Sequence, residues 1–181
     1  GYTSETNDPG IEAGKEGFTI MNSQITTNYY GIYLYNATQC QVITNTITLL
    51  NTANGIYYNI PSYMTPVPVN HTIQGNPIMK SGSAGGTGIR QENCYPGISL
   101  RNNTVTNCAY GYYLTDYSSA SVAINQVLEN CRFSNNSSAD IYYGSSYSER
   151  QLELRNCLLG STNEISGGFD PREYVVSKKH D

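Results

Sequence analysis

The chain has no tryptophan, three phenylalanines and two histidines, and only 13% of its 181 residues are charged. With ten Lys and Arg and a net charge of −4, it lacks the cationic surface a polyanion requires, so nucleic acid is excluded as a partner class. No apolar run approaches the ~20 residues of a spanning helix, and no membrane span is expected. The first residues have neither a basic stretch nor an apolar core of the leader type. Gly-rich phosphate loops, HExxH, GxSxG and EF-hand patterns are missing, so no cofactor is expected. His71 and His180 fit no metal or triad spacing.

What is abundant is tyrosine, at 17, together with Asn, Thr, Ser and 17 Gly. That mixture favours strands joined by tight turns over helices. The length fits one domain able to bury a sizeable core.

Five stretches superimpose on one pattern: FTIMNSQI then GIYLY, CQVITNTI then GIYYN, ISLRNNTV then GYYLT, QVLENCRF then DIYYG, and LELRNCLL. Aligned so, Ile20, Val42, Leu100, Leu128 and Leu154 form one apolar column. Phe18, Cys40, Ile98, Gln126 and Leu152 form a second, and Ile25, Ile47, Val105, Phe133 and Leu159 a third. Repeats of about 20 to 30 residues cannot each bury an apolar face alone and imply stacked coils with one shared core. The fold expected is all-β, a parallel β-helix of about five to six coils with one long insertion, spanning 17–165.

The first column steps by 22, 58, 28 and 26 residues. The step of 58 is either a coil with a long insertion or two irregular coils. Residues 60–96 hold five of the seven prolines and the run SGSAGGTG, which argues for an excursion, while Val67, Val69 and Gly88-Ile89 leave room for a hidden coil. Residues 1–16 and 166–181 fall outside the pattern and are read as caps or connectors. Within the tail, EYVVS has strand character and should add to a sheet edge.

Alternation of period two assigns the faces. Ile32, Leu34, Ile56, Tyr112, Leu114 and Ile141 should face in, and Tyr33, Tyr35, Tyr57, Tyr113 and Tyr142 out. Gln126 needs a buried partner, or the register slips there. The turn residues Asn22, Thr44, Asn102, Asn130 and Asn156 are expected to bond along the stack, with Asn102 inward. In the outward column Met21, Ile43, Arg101, Glu129 and Arg155, stacking places Glu129 between two arginines, which supports the register. Five cysteines leave at least one unpaired, and Cys131 and Cys157 should sit on adjacent coils, as packed thiols or as a disulfide. The sequons at Asn36, Asn70, Asn102, Asn135 and Asn136 follow from an abundance of Asn in turns.

The phrases GIYLYNAT, NTITLLNTANGIYY and GISLRNNTVTNCAYGYYL resemble right-handed parallel β-helix repeats of the pectate-lyase-like superfamily and of the carbohydrate-binding and sugar-hydrolase repeats of secreted and periplasmic proteins. The resemblance implies a right-handed helix. Because it rests on core and turn positions, it leaves lyases, hydrolases, adhesins and surface-layer components all open.

Enzymes of that resemblance carry paired acids on an outward face. Asp116, Asp140 and Glu149 lie near the second strand on adjacent coils, and two carboxylates about 5 to 10 Å apart can divide acid and base roles. Asp116 and Asp140 are therefore the catalytic candidates, although Asp also serves turns by bonding nearby backbone. Tyr33, Tyr57, Tyr113 and Tyr142 share one outward position, with Tyr35 and Tyr117 nearby. They are the candidate binding residues, for sugar rings or for another subunit. No metal site is expected. The function expected is an extracellular or cell-surface structural or interaction protein that pairs with itself, in filaments or a surface layer. The alternative is a polysaccharide-binding or polysaccharide-cleaving module.

Overall fold

The computed structural model describes residues 2–3, 10–14, 16–60, 69–93, 96–116, 124–145, 150–167 and 174–177. Its strands run in a repeating order of three around a common axis. β1 (Tyr2–Thr3), β2 (Ile11–Ala13) and β3 (Thr19–Met21) open the series, followed by β4 (Gln24–Thr27), β5 (Tyr30–Tyr35) and β6 (Gln41–Ile43). Then come β7 (Thr46–Leu49), β8 (Asn54–Asn59), β9 (Thr72–Gln74), β10 (Pro77–Lys80), β11 (Thr87–Glu92) and β12 (Ser99–Arg101). β13 (Thr104–Thr106), β14 (Tyr110–Asp116), β15 (Ile124–Glu129), β16 (Arg132–Ser134), β17 (Ala139–Ser145) and β18 (Arg150–Arg155) continue it. β19 (Leu158–Leu159), β20 (Ile165–Ser166) and β21 (Tyr174–Ser177) close it.

Every third strand pairs in parallel, giving three seven-stranded sheets: A from β1 to β19, B from β2 to β20 and C from β3 to β21. Six coils run from β3 to β20. The described residues contain no helix, and none is long and apolar enough to cross a membrane.

The step of 58 residues holds a hidden coil. Ile73 pairs with Val42 on one side and Leu100 on the other, and β9, β10 and β11 complete the turn. The coil enters by Ile73, Ile78 and Ile89 rather than by Val67 (outside the described residues) and Val69. EYVVS does add to a sheet edge: β21 pairs with β18 of its own chain. At the other end β1 and β2 join sheets A and B.

The interior is a set of axial columns. Ile20, Val42, Ile73, Leu100, Leu128 and Leu154 line sheet C, and Ile25, Ile47, Ile78, Val105 and Phe133 line sheet A, all buried. At about 1.5–3 kcal/mol per buried aliphatic side chain, these columns are the main driving term. Gln126 is buried opposite Leu152 with the register intact. Phe18 was expected inside with Cys40 but is 40% exposed, since it precedes the edge strand of sheet C.

The corner between sheets C and A departs from strict alternation. Asn22, Thr44, Gly75, Asn102, Asn130 and Asn156 all have positive φ, between 52° and 67°. Asn tolerates this left-handed conformation better than most residues. The turn sends these side chains outward, so Asn102 is exposed and not inward as expected. The following residue faces in instead: Ser23, Asn45, Asn76, Asn103, Cys131 and Cys157.

The outward residues bond along the stack at two steps, Thr44 Oγ1 to Asn22 Oδ1 (2.6 Å) and Asn156 Nδ2 to Asn130 Oδ1 (2.5 Å), and the inward ones form a second, buried polar ladder. Asn45 Nδ2 donates to the Ile20 carbonyl (3.0 Å), Asn76 Nδ2 to Val42 (2.9 Å) and Asn103 Nδ2 to Ile73 (2.8 Å). Their Oδ1 atoms accept the amides of Ser23, Asn45 and Asn76 from the preceding coil. Cys131 Sγ then donates to Leu100 (3.7 Å) and Cys157 Sγ to Leu128 (3.3 Å), so the thiols repeat the asparagine contact in weaker form. Cys40, Cys108, Cys131 and Cys157 carry thiols and not disulfides, and Cys94 lies outside the described residues. On the outer wall Arg101 meets Glu129 at 3.1 Å, while Arg155 turns to Glu153 (2.6 Å) in its own strand.

Candidate functional site on the outer face of sheet B

Sheet B has the longest strands, and a glycine column sets how it is entered. A Cβ on Gly31 would stand 2.5 Å from the Gly55 carbonyl oxygen, one on Gly55 2.5 Å from that of Gly88, and one on Gly111 2.5 Å from that of Asp140. The coils approach so closely there that only hydrogen fits. After these glycines, and after Asp140 in the fifth coil, the alternation resumes. Ile32, Ile56, Ile89, Tyr112 and Ile141 point in, followed two residues later by Leu34, Tyr58, Gln91, Leu114 and Tyr143. Gln91 Oε1 accepts from both the Tyr58 and Tyr112 hydroxyls, and its Nε2 donates to the Asn93 carbonyl (2.9 Å).

The residues between these two columns face out: Tyr33, Tyr57, Arg90, Tyr113 and Tyr142, in register over five coils. They form one stack. The Tyr33 and Tyr57 rings lie 5.0 Å apart at 21°, and Tyr113 and Tyr142 lie 4.5 Å apart at 9°. Arg90 fills the gap, its guanidinium carbon 5.1 Å from the Tyr57 centroid and 5.6 Å from that of Tyr113. Tyr30 flanks the first pair at 5.1 and 5.0 Å, and Tyr110 meets Tyr113 edge-on at 5.0 Å.

The four tyrosines expected to bind are thus brought together, but not as open platforms. Tyr57 is only 6% exposed, and the other three are half-buried. Stacked rings cover one another's faces, so the wall offers ring edges and phenols. Tyr35 is exposed, 5.9 Å from Tyr33, and Tyr117 lies outside the described residues.

Beside the stack, Arg90 Nη2 donates to Glu92 Oε1 (2.7 Å), and Asn59 Nδ2 donates to Glu92 Oε2 (2.9 Å) and to the Tyr57 hydroxyl (3.2 Å). Burial, then the hydrogen bond and charge of Glu92, push the Tyr57 phenol above its ordinary value. Burial and the neighbouring Tyr35 and Glu12 do the same for Tyr33. Burial opposes the charge of Arg90, but Glu92 and the phenols outweigh it and hold its pKa up. The face therefore carries a fixed ion pair beside the raised phenols of Tyr33 and Tyr57. Arg90, Glu92 and Asn59 were missed by sequence reasoning. The signal was there in GIRQE, which repeats the spacing of GIYLY and GIYYN with Arg in the tyrosine position.

Asp116 and Asp140 do not come together as an acid pair. Asp140 is the second residue of β17, while Asp116 ends β14 opposite Ser145, five residues further along, or about 16 Å at strand rise. The Asp140 side chain is fully buried. It accepts from Asn136 Nδ2 (2.7 Å), the amides of Gly160 (2.8 Å) and Ser161 (3.0 Å), and the Ser161 hydroxyl. Asp116 is 3% exposed. Glu149 lies outside the described residues. Among the described residues no group of three or more His, Cys, Asp or Glu is placed to hold a metal ion. His71 fills the core column of Cys40 and Ile98, where Nδ1 accepts the Cys40 amide (3.2 Å).

Comparison with curated proteins and with solved structures returned no match. A family model described as "Right handed beta helix region" matches residues 9–169. That span covers most of the chain and every coil from β3 to β20, so the solenoid is right-handed and the chain belongs to the right-handed β-helix family.

Proposed function

We propose that the protein is an extracellular or cell-surface structural and interaction module, a rigid β-helix that works by presenting its wall and ends to other molecules, copies of itself included. The observation that carries this reading is the environment of Asp140. This carboxylate, a leading candidate for acid–base chemistry by sequence, is buried as the acceptor of four hydrogen bonds, three of which tie the last two coils together. Its counterpart Asp116 is far along the sheet and nearly buried. Both candidate acids are therefore built into the wall. A low charge and a surface of phenols, amides and hydroxyls, together with the resemblance to secreted repeats, support the extracellular setting.

A second reading, polysaccharide binding, is favoured by one arrangement. Phenols run beside Asn59 and Glu92 in rows parallel to the axis, which suits the hydroxyls of a linear sugar polymer. Cleavage has less support, because the two acids are not paired. Electron microscopy of the purified protein, beside co-sedimentation with insoluble polysaccharides, tests the proposal. Ordered assemblies without polysaccharide retention support the structural role. Retention that is lost in Tyr113→Ala with the fold intact moves the conclusion to the second reading.

A further inference from the structure

The two ends of the coil stack differ from its middle. The inward column Ile11, Ile32, Ile56, Ile89, Tyr112, Ile141, Ile165 is fully buried from Ile32 to Ile141 and only half-buried at each end. Cys157 and Leu159 in the last coil also face the core but are incompletely covered. Among large apolar residues, the exposed ones cluster at the ends. Phe18, Met21 (51%), Tyr29 and Tyr35 belong to the first coil and Leu158 (54%) to the last, with Met79 the exception in the middle. Among the described residues no strand pairs beyond β19, β20 and β21, or before β1, β2 and β3.

One occupant fits both ends at once. The sheets begin in the order A, B, C with β1, β2 and β3, and finish in the same order with β19, β20 and β21. A second copy placed on the same axis sets its β1, β2 and β3 on β19, β20 and β21, parallel and on matching sheets. Ile165 of one copy then meets Ile11 of the next, and the column that is dry in the middle becomes dry across the junction. Open strand edges pair with another chain when the geometry allows it. Burial of the half-covered end residues favours the contact. Because β21 pairs with its own β18, the contact is made between finished coils and not by exchange of the tail.

We infer that the protein self-associates head to tail through these end coils. This rests on the structural and interaction role proposed above and names its partner as a second copy of the chain. Stacking along the axis does not close on itself, so the product is a linear series and not a ring.

Sedimentation velocity over a range of concentrations tests it, using two variants at exposed positions that leave the core alone. Leu158→Glu blocks the last coil, and Phe18→Glu with Met21→Glu blocks the first. The wild type should give a concentration-dependent ladder of species. Each variant should be monomeric with an unchanged circular dichroism spectrum, and their equimolar mixture should stop at twice the monomer mass, since each keeps one working end. Leu158→Lys repeats the block should the glutamate disturb folding. A wild type that assembles equally well with either block overturns the end-coil interface and leaves the interaction role standing. A mixture that stays monomeric overturns the head-to-tail geometry. A wild type that is monomeric at every concentration overturns self-association altogether.

Discussion

The Arg90 guanidinium lies 5.1 Å from the centroid of the Tyr57 ring, in the position that tyrosine holds in four other coils of the same column. It is the cationic link in an otherwise phenolic stack, held in place by Glu92 beside it. Arg90→Ala should therefore lower stability by about 1–2 kcal/mol. Arg90→Tyr, which completes the column, should lose less. Thermal melting of both variants checks this, and equal losses would show that the rings do not need a partner at that coil.

The inward ladder and the outward corner residues should respond very differently to substitution. Asn76→Leu removes a side chain bonded to the Val42 carbonyl, the Asn45 amide and Asn103, and should lose about 3 kcal/mol or more. Asn102→Ala leaves those bonds intact and places alanine in the left-handed region, for a loss of about 1 kcal/mol. Denaturant unfolding separates the two. Similar losses would remove the ladder from its structural role.

Acid should weaken the fold through His71. Burial, opposed only by the Ala37 carbonyl, lowers its pKa to about 4, and Nδ1 already accepts the Cys40 amide. A proton therefore binds the unfolded chain, with a pKa near 6.5, more readily than the folded one. The neutral-imidazole contribution is complete above about pH 6.5 and is lost as pH falls through about 4, amounting to roughly 3 kcal/mol. Unfolding free energies at pH 7, 5.5 and 4 should trace that decline, and His71→Leu should flatten it. A wild-type slope retained in the variant would assign the acid sensitivity elsewhere.

Leu100 and Leu128 are register partners on adjacent strands in the buried column of sheet C. Either one replaced by Asp should abolish folding, because a buried unpaired carboxylate costs several kcal/mol. Far-UV circular dichroism checks it, and a native-like spectrum with an unchanged melting point would contradict the column.

Much of this architecture was legible in the sequence, because Ile20, Val42, Leu100, Leu128 and Leu154 recur at a coil's length and each coil must share its core. The coil around Ile73 was not, since His71 replaces an apolar residue and Gly75 replaces the corner asparagine. The inward and outward roles of Asn102 and Asn103 were exchanged for a different reason. A left-handed residue interrupts the period-two alternation, and nothing in the residue type says which of two adjacent asparagines takes that conformation. At the site, Arg90 was hidden by the same unplaced coil. The burial of Asp140 depends on Ser161 and Gly160 from the next coil, a long-range contact that spacing alone does not reveal.

The most direct test of the account is an assay for polysaccharide hydrolysis and lyase activity over neutral and acidic substrates, run on the wild type beside Asp140→Asn and Asp116→Asn with the melting point of each. No turnover is expected from any of the three, with a lower melting point for Asp140→Asn, whose carboxylate is a structural acceptor. Wild-type turnover that vanishes in Asp140→Asn or Asp116→Asn while the melting point is unchanged would contradict it.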